Sequence, residues 1–515
     1  MTSIDVGAMP PAQGGGGSIR STIPARIDRL PWSSFHTKLI IALGVAWVLD
    51  GLEITVASSV AGILTHSDTL NLSPALSNDL GTPYLAGEIL GALIFGLFSD
   101  RWGRRNLFMI TLLVYLIGSG LSALTLGSSS GWVIFLFGTR VIAGLGIGGE
   151  TAAINSAIDE MIPARYRGRV DIGINGTYWG GAIIGSGATL IFLNAIPESV
   201  GWRLGFLLGP VLGAFIIYIR RNLPESPRWQ IMHGRAEGAE ESISYIEAQV
   251  AKSGVTLPPI DDSMAIEVKP TDQRGYLTLL KLLFATYPTR SILGAGLMIT
   301  QSFLYNAIFF SFTTVLAAFY GVSGGAPLYL LAFSIGNLIG PLVLGPLFDT
   351  IGRRQMIGGT YLLSGVLLII SAILFNAHVF NALSMTIAFA IVFFFASAGA
   401  SAAYLTVSEI FPQEVRAKAI GVFYSISQGA GILANLYFGA LIGTSKHPPT
   451  SGLFIGYLSG AGIMIVGGLI AVFLGVDAAG KSLEDVATPL SLVQKVTHIE
   501  SMGHRPPSAR PDPTG

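Results

Sequence analysis

Cysteine is absent from the 515 residues, which excludes disulfide bridges, thiol nucleophiles and cysteine-ligated metal. Charge is scarce. Only 12% of residues are Asp, Glu, Lys or Arg, where soluble domains carry about 25%. The 30 basic and 30 acidic side chains cancel, so composition offers no footprint for nucleic acid. The seven histidines form no metal-spaced cluster inside an apolar stretch, and no cofactor or metal is expected. No short apolar core with a cleavage site precedes the first long apolar run, so residues 1–37 read as a polar tail rather than a signal peptide.

Apolar residues make up 51% of the chain, and mean hydropathy is +0.62. They gather in runs of about 20 residues, the length that crosses about 30 Å of hydrocarbon. Twelve runs can be marked: 38–64, 82–99, 107–127, 131–155, 170–193 and 203–220, then 290–320, 326–347, 355–376, 381–407, 418–442 and 452–475. The 65 glycines read as packing positions that let membrane helices approach closely.

Two charged motifs occur twice at one offset. Gly96, Asp100, Gly103, Arg104 and Arg105 recur 249 residues later as Gly345, Asp349, Gly352, Arg353 and Arg354. Glu160, Pro163 and Arg167 recur at the same offset as Glu409, Pro412 and Arg416. A duplication of this length marks secondary transporters, whose halves rock about a site between them. The plan is therefore an all-α membrane protein of twelve helices in two pseudo-symmetric six-helix bundles. Expected units are a tail over 1–37, bundles over 38–220 and 290–476, a linker over 221–289, and a tail over 477–515. Both tails are expected to be mobile. The linker carries an amphipathic helix near 236–250.

Of the 30 Lys and Arg residues, only Arg203 and Lys446 fall at odd-numbered loop ends, and Arg140 lies inside a run. The rest mark the cytoplasmic side, so both termini are expected there, in a plasma membrane of the bacterial inner type. The duplicated motifs then lie on that face. Arginine pairs can fork onto carboxylates and helix carbonyl ends. One latch is expected per half: Asp100, Arg104, Arg105, Glu160 and Arg167 in the first, Asp349, Arg353, Arg354, Glu409 and Arg416 in the second. Such latches would hold the inner face shut and break when it opens.

These motifs carry a resemblance. GLFSDRWGRR between runs two and three resembles the signature of the major facilitator superfamily. RVIAGLGIGG, PESPRW and SEIFP with Arg416 resemble its sugar-porter branch. The resemblance implies the major facilitator fold, alternating access and, for most similar bacterial members, proton symport of small metabolites.

Ionisable residues in hydrocarbon are costly and are functional candidates. They are Asp50, Glu53, Glu88, Arg140, Glu150 and, at a run's start, Asp171, all in the first half. Asp50 and Glu53 share a helix face. At ~1.5 Å per residue they lie roughly 18 and 22 Å from one edge, and Arg140 about 13 Å from the other. Depth thus matches Arg140 slightly better to Asp50. The resemblance instead implies Glu53 as proton carrier with Arg140 as partner, because LDGLE aligns Glu53 with the sugar-porter acid. Aromatic-acid symporters carry two acids at this point, which keeps Asp50 beside it. Glu88 is expected to face an outer vestibule, and Glu150 to border the inner exit.

By resemblance Gln301, Asn306 and Asn175 fall on amide positions that contact sugar hydroxyls. Amides suit that task because they donate and accept. Tyr305, Trp179 and Gln428 are further expected cavity residues, with Tyr178, Tyr424 and Asn435 beside them. Thr300 and Leu304 depart from the sugar pattern, as do Ala400, Ala403 and Tyr404 in run ten, so the cargo is a sugar or polyol, or an organic or aromatic acid. An exporter working by antiport is the alternative. A sensor or a membrane enzyme lacks any visible domain. The expected partners are the small cargo, protons and the lipid bilayer, and a monomer is expected.

Overall fold

The computed structural model describes residues 19–60, 63–72, 76, 80–220, 223–268, 275–322, 326–442, 450–488, 490 and 492–495. Eleven helices among them are long and apolar enough to cross a membrane. In the first half spans one to four are Ser34–Val60, Gly81–Trp102, Arg104–Ala123 and Ser130–Met161, and span six is Glu198–Arg220. Span five is divided into Ala164–Gly176 and Tyr178–Ala195, meeting at Thr177. The division follows the sequence, since Arg165, Arg167, Arg169 and Asp171 make its first part polar. Spans seven to twelve are Pro288–Tyr320, Ala326–Thr350, Arg353–Asn376, Ala382–Glu409, Arg416–Ile442 and Thr450–Leu474. Between the halves, span two packs on span eleven and span five on span eight.

Spans two and four pack most extensively, and glycine is the reason. Gly87 and Gly91 on span two, four residues apart, meet Gly144 and Gly148 on span four, also four apart. A Cβ on Gly144 or Gly148 would run into the carbonyl of Tyr84 or Glu88, and one on Gly87 or Gly91 into that of Val141 or Leu145. Small residues at this spacing let backbones touch, which is how membrane helices gain contact without a hydrophobic drive. The contact sets Tyr84 and Glu88 of span two against span four.

The tails are not loose throughout. Strand Ile19–Ser21 pairs with linker strand Ile266–Val268, which pairs with Leu492–Lys495, giving one antiparallel sheet from both tails and the linker. Helix Ile23–Asp28 buries Ile23 and Ile27 against Ile231, Ala239 and Ile243 of the linker. The linker helix spans Ala236–Ala251. Arg26 binds Glu240 and Glu247 at 2.6 Å each, and Arg29 binds Glu247 at 2.5 Å. A four-residue apolar stripe in a short polar tail is too slight a pattern to read ahead of the structure. The face bearing these segments is called the tail face below.

Gly144→Ala should lower stability by about 1–3 kcal/mol through overpacking, although helix propensity alone would favour alanine by about 1 kcal/mol. Thermal unfolding in detergent measures the sign. Tail docking should depend on acid. Burial alone would raise the Glu247 carboxyl, but hydrogen bonds from Arg26 and Arg29 hold it below its ordinary value. Its contribution is therefore present at neutral pH and is lost as pH falls through that lowered value. Hydrogen exchange over residues 19–30 should quicken there, and Glu247→Gln should quicken it already at neutral pH.

Candidate functional site

The gate motifs form turns before they form bonds. Gly103 and Gly352 hold φ values of 82° and 115°, open to glycine at little cost, and each starts a span. Glu225 of the PESPRW segment receives the backbone N–H of Arg104 at 2.9 Å and of Arg105 at 3.3 Å. Burial pushes its carboxyl up, against the pull of the Ser226 amide and the Arg104 guanidinium. Arg104 binds Glu160 at 2.8 Å and Ser156 at 3.2 Å. In the second half Arg353 binds Glu409 at 3.1 Å and Asp349 at 2.7 Å.

Part of the latch expected in each half forms, Arg104 on Glu160 and Arg353 on Asp349 and Glu409, but the network also crosses between the halves. Arg167 lies against Glu409 of the other half at 3.5 Å and Asp159 at 3.9 Å, not against Glu160. Asp349 accepts the N–H groups of Gly168 at 3.1 Å and Arg169 at 2.8 Å, again across the halves. Arg416 donates to the Phe411 carbonyl at 3.3 Å, and its nearby acids are Asp159 and Glu160 of the first half. Arg354 donates to the Val472 carbonyl at 2.6 Å and stands apart. The Asp100 side chain lies outside the described residues. The cause is the pseudo-symmetry itself, which faces the arginine end of one half toward the acidic end of the other. The tail face is thus closed.

Mid-membrane, Arg140 donates to Glu53, and both are fully buried. Glu53 also accepts from Tyr115 at 3.0 Å and Ser119 at 2.9 Å on span three. Depth alone favoured Asp50, but the helices' tilt and rotation give Arg140 to Glu53. The Arg140 guanidinium sits 4.7 Å from the Tyr84 ring centroid, and the Tyr84 hydroxyl donates to Asp50 at 3.0 Å. Glu88 faces no vestibule: it is buried and accepts from Gln428 of span eleven. Glu150 is buried on Arg220 of span six rather than bordering an exit.

Beside this layer lies a cavity of about 110 Å³ between the halves. Asn175, Trp179, Gln301, Tyr305, Asn306 and Gln428 all line it, as do Asp50, Tyr178, Tyr404 and Tyr424. Asn435, Glu53 and Arg140 do not. Gln301 donates to Ser427 at 2.8 Å, Tyr305 to Asn337 at 3.0 Å, and Asn306 to the Ser302 carbonyl at 2.9 Å. Asn175 donates to the Asp171 carbonyl at 2.8 Å. The Trp179 ring lies 5.3 Å from Tyr305 and 5.0 Å from Phe309, spanning the halves. Among the described residues the lining contains no Lys, Arg or His.

Two helical halves, a closed charged face and a central cavity give a multi-span membrane protein with the major facilitator fold. The family model "Sugar (and other) transporter" matches residues 66–489, and the chain belongs to that family. The niacin transporter NiaP of Acinetobacter baylyi is 26% identical, covering 90% of this chain and 99% of that protein. The arabinose-proton symporter of Bacillus subtilis is 26% identical, covering 86% and 93%. The proton:xylose symporter XylE bound to 6-bromo-6-deoxy-D-glucose superimposes with a TM-score of 0.70 at 19% identity, covering 88% and 98%.

Glu409 holds two buried arginines, one from each half. Removing one partner of a buried pair costs about 3–5 kcal/mol, charged here to the closed arrangement. Ile172 is buried where span five meets Gly345 of span eight. In this cysteine-free chain Ile172→Cys is a single-site reporter. Glu409→Gln should raise its alkylation rate at least tenfold.

Proposed function

We propose that the chain is a proton-coupled importer of small, uncharged polar metabolites, working by alternating access with its tail face in the cytoplasm of a bacterial inner membrane. The observation that carries this reading is the buried Arg140–Glu53 pair, linked through Tyr84 to Asp50 on the cavity wall. A carboxyl with a guanidinium partner ionises; the same carboxyl without it takes a proton. A rocking motion that loosens the contact therefore couples proton binding to which face is open. The duplicated tail-face network supplies the bond set that must break on the inward side. Glu53 is the proton carrier in this scheme, and Arg140 its counter-ion.

The cargo follows from the lining. Amides and hydroxyls over aromatic walls suit hydroxylated or amide-bearing rings. An anion would need a cation in the wall, and Arg140 is committed to Glu53. Relatives named for arabinose-proton symport and niacin transport fit a ring-sized cargo.

Uptake of a labelled panel of pentoses, polyols, nicotinamide and aromatic acids into proteoliposomes, with and without an inward proton gradient, tests the reading. At least one neutral compound should accumulate only under the gradient. Glu53→Gln should cut accumulation at least tenfold while leaving counterflow exchange intact. Gradient-dependent accumulation that survives Glu53→Gln unchanged would refute the assignment.

A further inference from the structure

Glu88 is the buried acid that the scheme above leaves without a task. It sits mid-span among the glycine contacts of spans two and four, fully buried. It stands one helical turn from Tyr84 on the same face of span two, and the Tyr84 hydroxyl reaches Asp50, which makes the two buried carboxyls neighbours. Two carboxyls sharing a buried site do not both ionise, so a proton resides on one of them. Asp50 receives the Tyr84 hydroxyl at 3.0 Å, and Glu88 Oε2 receives the Gln428 amide. Gln428 in turn meets the Tyr424 hydroxyl at 3.0 Å. Asp50 and Gln428 are both on the cavity wall. The carboxyl pair belongs to the first half, and its third partner to the second.

We propose that Asp50 and Glu88 form a second proton-binding site, separate from Glu53, whose bound proton keeps the first half fastened to Gln428 across the cavity. This rests on the alternating-access reading but not on Glu53 as its carrier. With the proton in place the pair carries one negative charge, and Glu88 is held toward span eleven. Loss of the proton breaks the O–H bond, sends H⁺ to cavity water and leaves two adjacent buried carboxylates. Like charges at that separation repel in a medium that screens them weakly, so the carboxyls part and the Gln428 contact is strained.

Among the described residues the pair has no counter-charge that is not already bound elsewhere. From span one it is faced by Glu53, from span two by Tyr84, and from span four by Glu150 and Arg140. Span five presents Tyr178, span ten Tyr404 and span eleven Tyr424. Arg140 is bound to Glu53, and Glu150 is bound to Arg220. Tyr84 joins the two proton sites, with its ring under Arg140 and its hydroxyl on Asp50. Charge moved at one site is felt at the other through a single side chain.

Infrared spectroscopy of the full chain in lipid nanodiscs tests occupancy without any cargo. A protonated-carboxyl band, recognised by its shift in D₂O, should be present at neutral pH. Asp50→Asn and Glu88→Gln should each shift or abolish it, and Glu53→Gln should leave it in place. A spectrum unchanged by both Asp50→Asn and Glu88→Gln would overturn the proposal, as would a band moved only by Glu53→Gln. The Ile172→Cys reporter tests the cross-cavity role. Its alkylation, referenced at each pH to that of a fully exposed cysteine so that thiolate ionisation cancels, should rise several-fold as pH is raised across neutrality and become flat in Glu88→Gln, whose amide needs no proton to bridge. Gln428→Leu, which keeps both carboxyls, should keep the infrared band and flatten the pH response. An undiminished pH response in Gln428→Leu would sink the fastening role, whatever the outcome of the Glu53 uptake test.

Discussion

A guanidinium and a carboxylate buried in the middle of a lipid bilayer must find each other, and the first half is arranged around that requirement. Arg140 on span four and Glu53 on span one are fully buried and joined. Span three supplies Tyr115 and Ser119 to the same carboxylate. Span two supplies the ring of Tyr84 to the guanidinium. One ion pair thus ties four helices, and the glycine contacts of spans two and four bring the backbones close enough for it. Breaking such a pair costs far more than forming it gains. The arrangement specifies where the helices sit more than it stabilises them.

The tail face applies the same rule between halves. Because the chain is duplicated, each half offers an arginine-rich turn and an acidic helix end. A twofold arrangement places unlike ends together. Arg167 on Glu409 and the backbone of residues 168 and 169 on Asp349 are the result. Glu409 also receives Arg353 of its own half, so one carboxylate joins the inner order of a bundle to the closure of the face.

Much of this could be read from residue spacing. Offsets of 249 revealed the duplication, apolar runs located the spans, and mid-span charges selected Glu53, Arg140 and Asp50. The amide positions Gln301, Asn306 and Asn175 came from the motif and do line the cavity. What could not be read was partnership across sequence distance. Spacing pairs Arg167 with Glu160 of its own loop, whereas symmetry gives it Glu409. Asp50 and Glu53 share a helix face, and depth points to Asp50; the family resemblance, not spacing, gives Glu53 to Arg140, as the structure has it. The Glu88–Gln428 bond joins residues 340 apart with no shared motif. The tail sheet rests on strands of three or four residues, too short for any period to show.

The division of charge between the halves has an energetic consequence. At mid-membrane the first half carries every ionised side chain, while the second offers neutral donors, chiefly Gln428, Gln301 and Asn306. Contacts across the cavity are therefore hydrogen bonds to or between neutral groups, together with ring contacts around Trp179. A hydrogen bond to a charged group contributes about 1.5–3 kcal/mol, less than the roughly 3–5 kcal/mol of a broken buried ion pair. Ion pairs that hold a bundle together can then remain intact while the bundles move apart, because the surface along which they part is crossed mostly by weaker bonds. Among the described residues a buried ion pair crosses that surface only at the tail face, and there Arg167 leaving Glu409 still has Asp159 of its own half within 3.9 Å. A charge that can exchange one partner for another never has to face the hydrocarbon alone, which is how a protein with so few charges can both be held shut and come open.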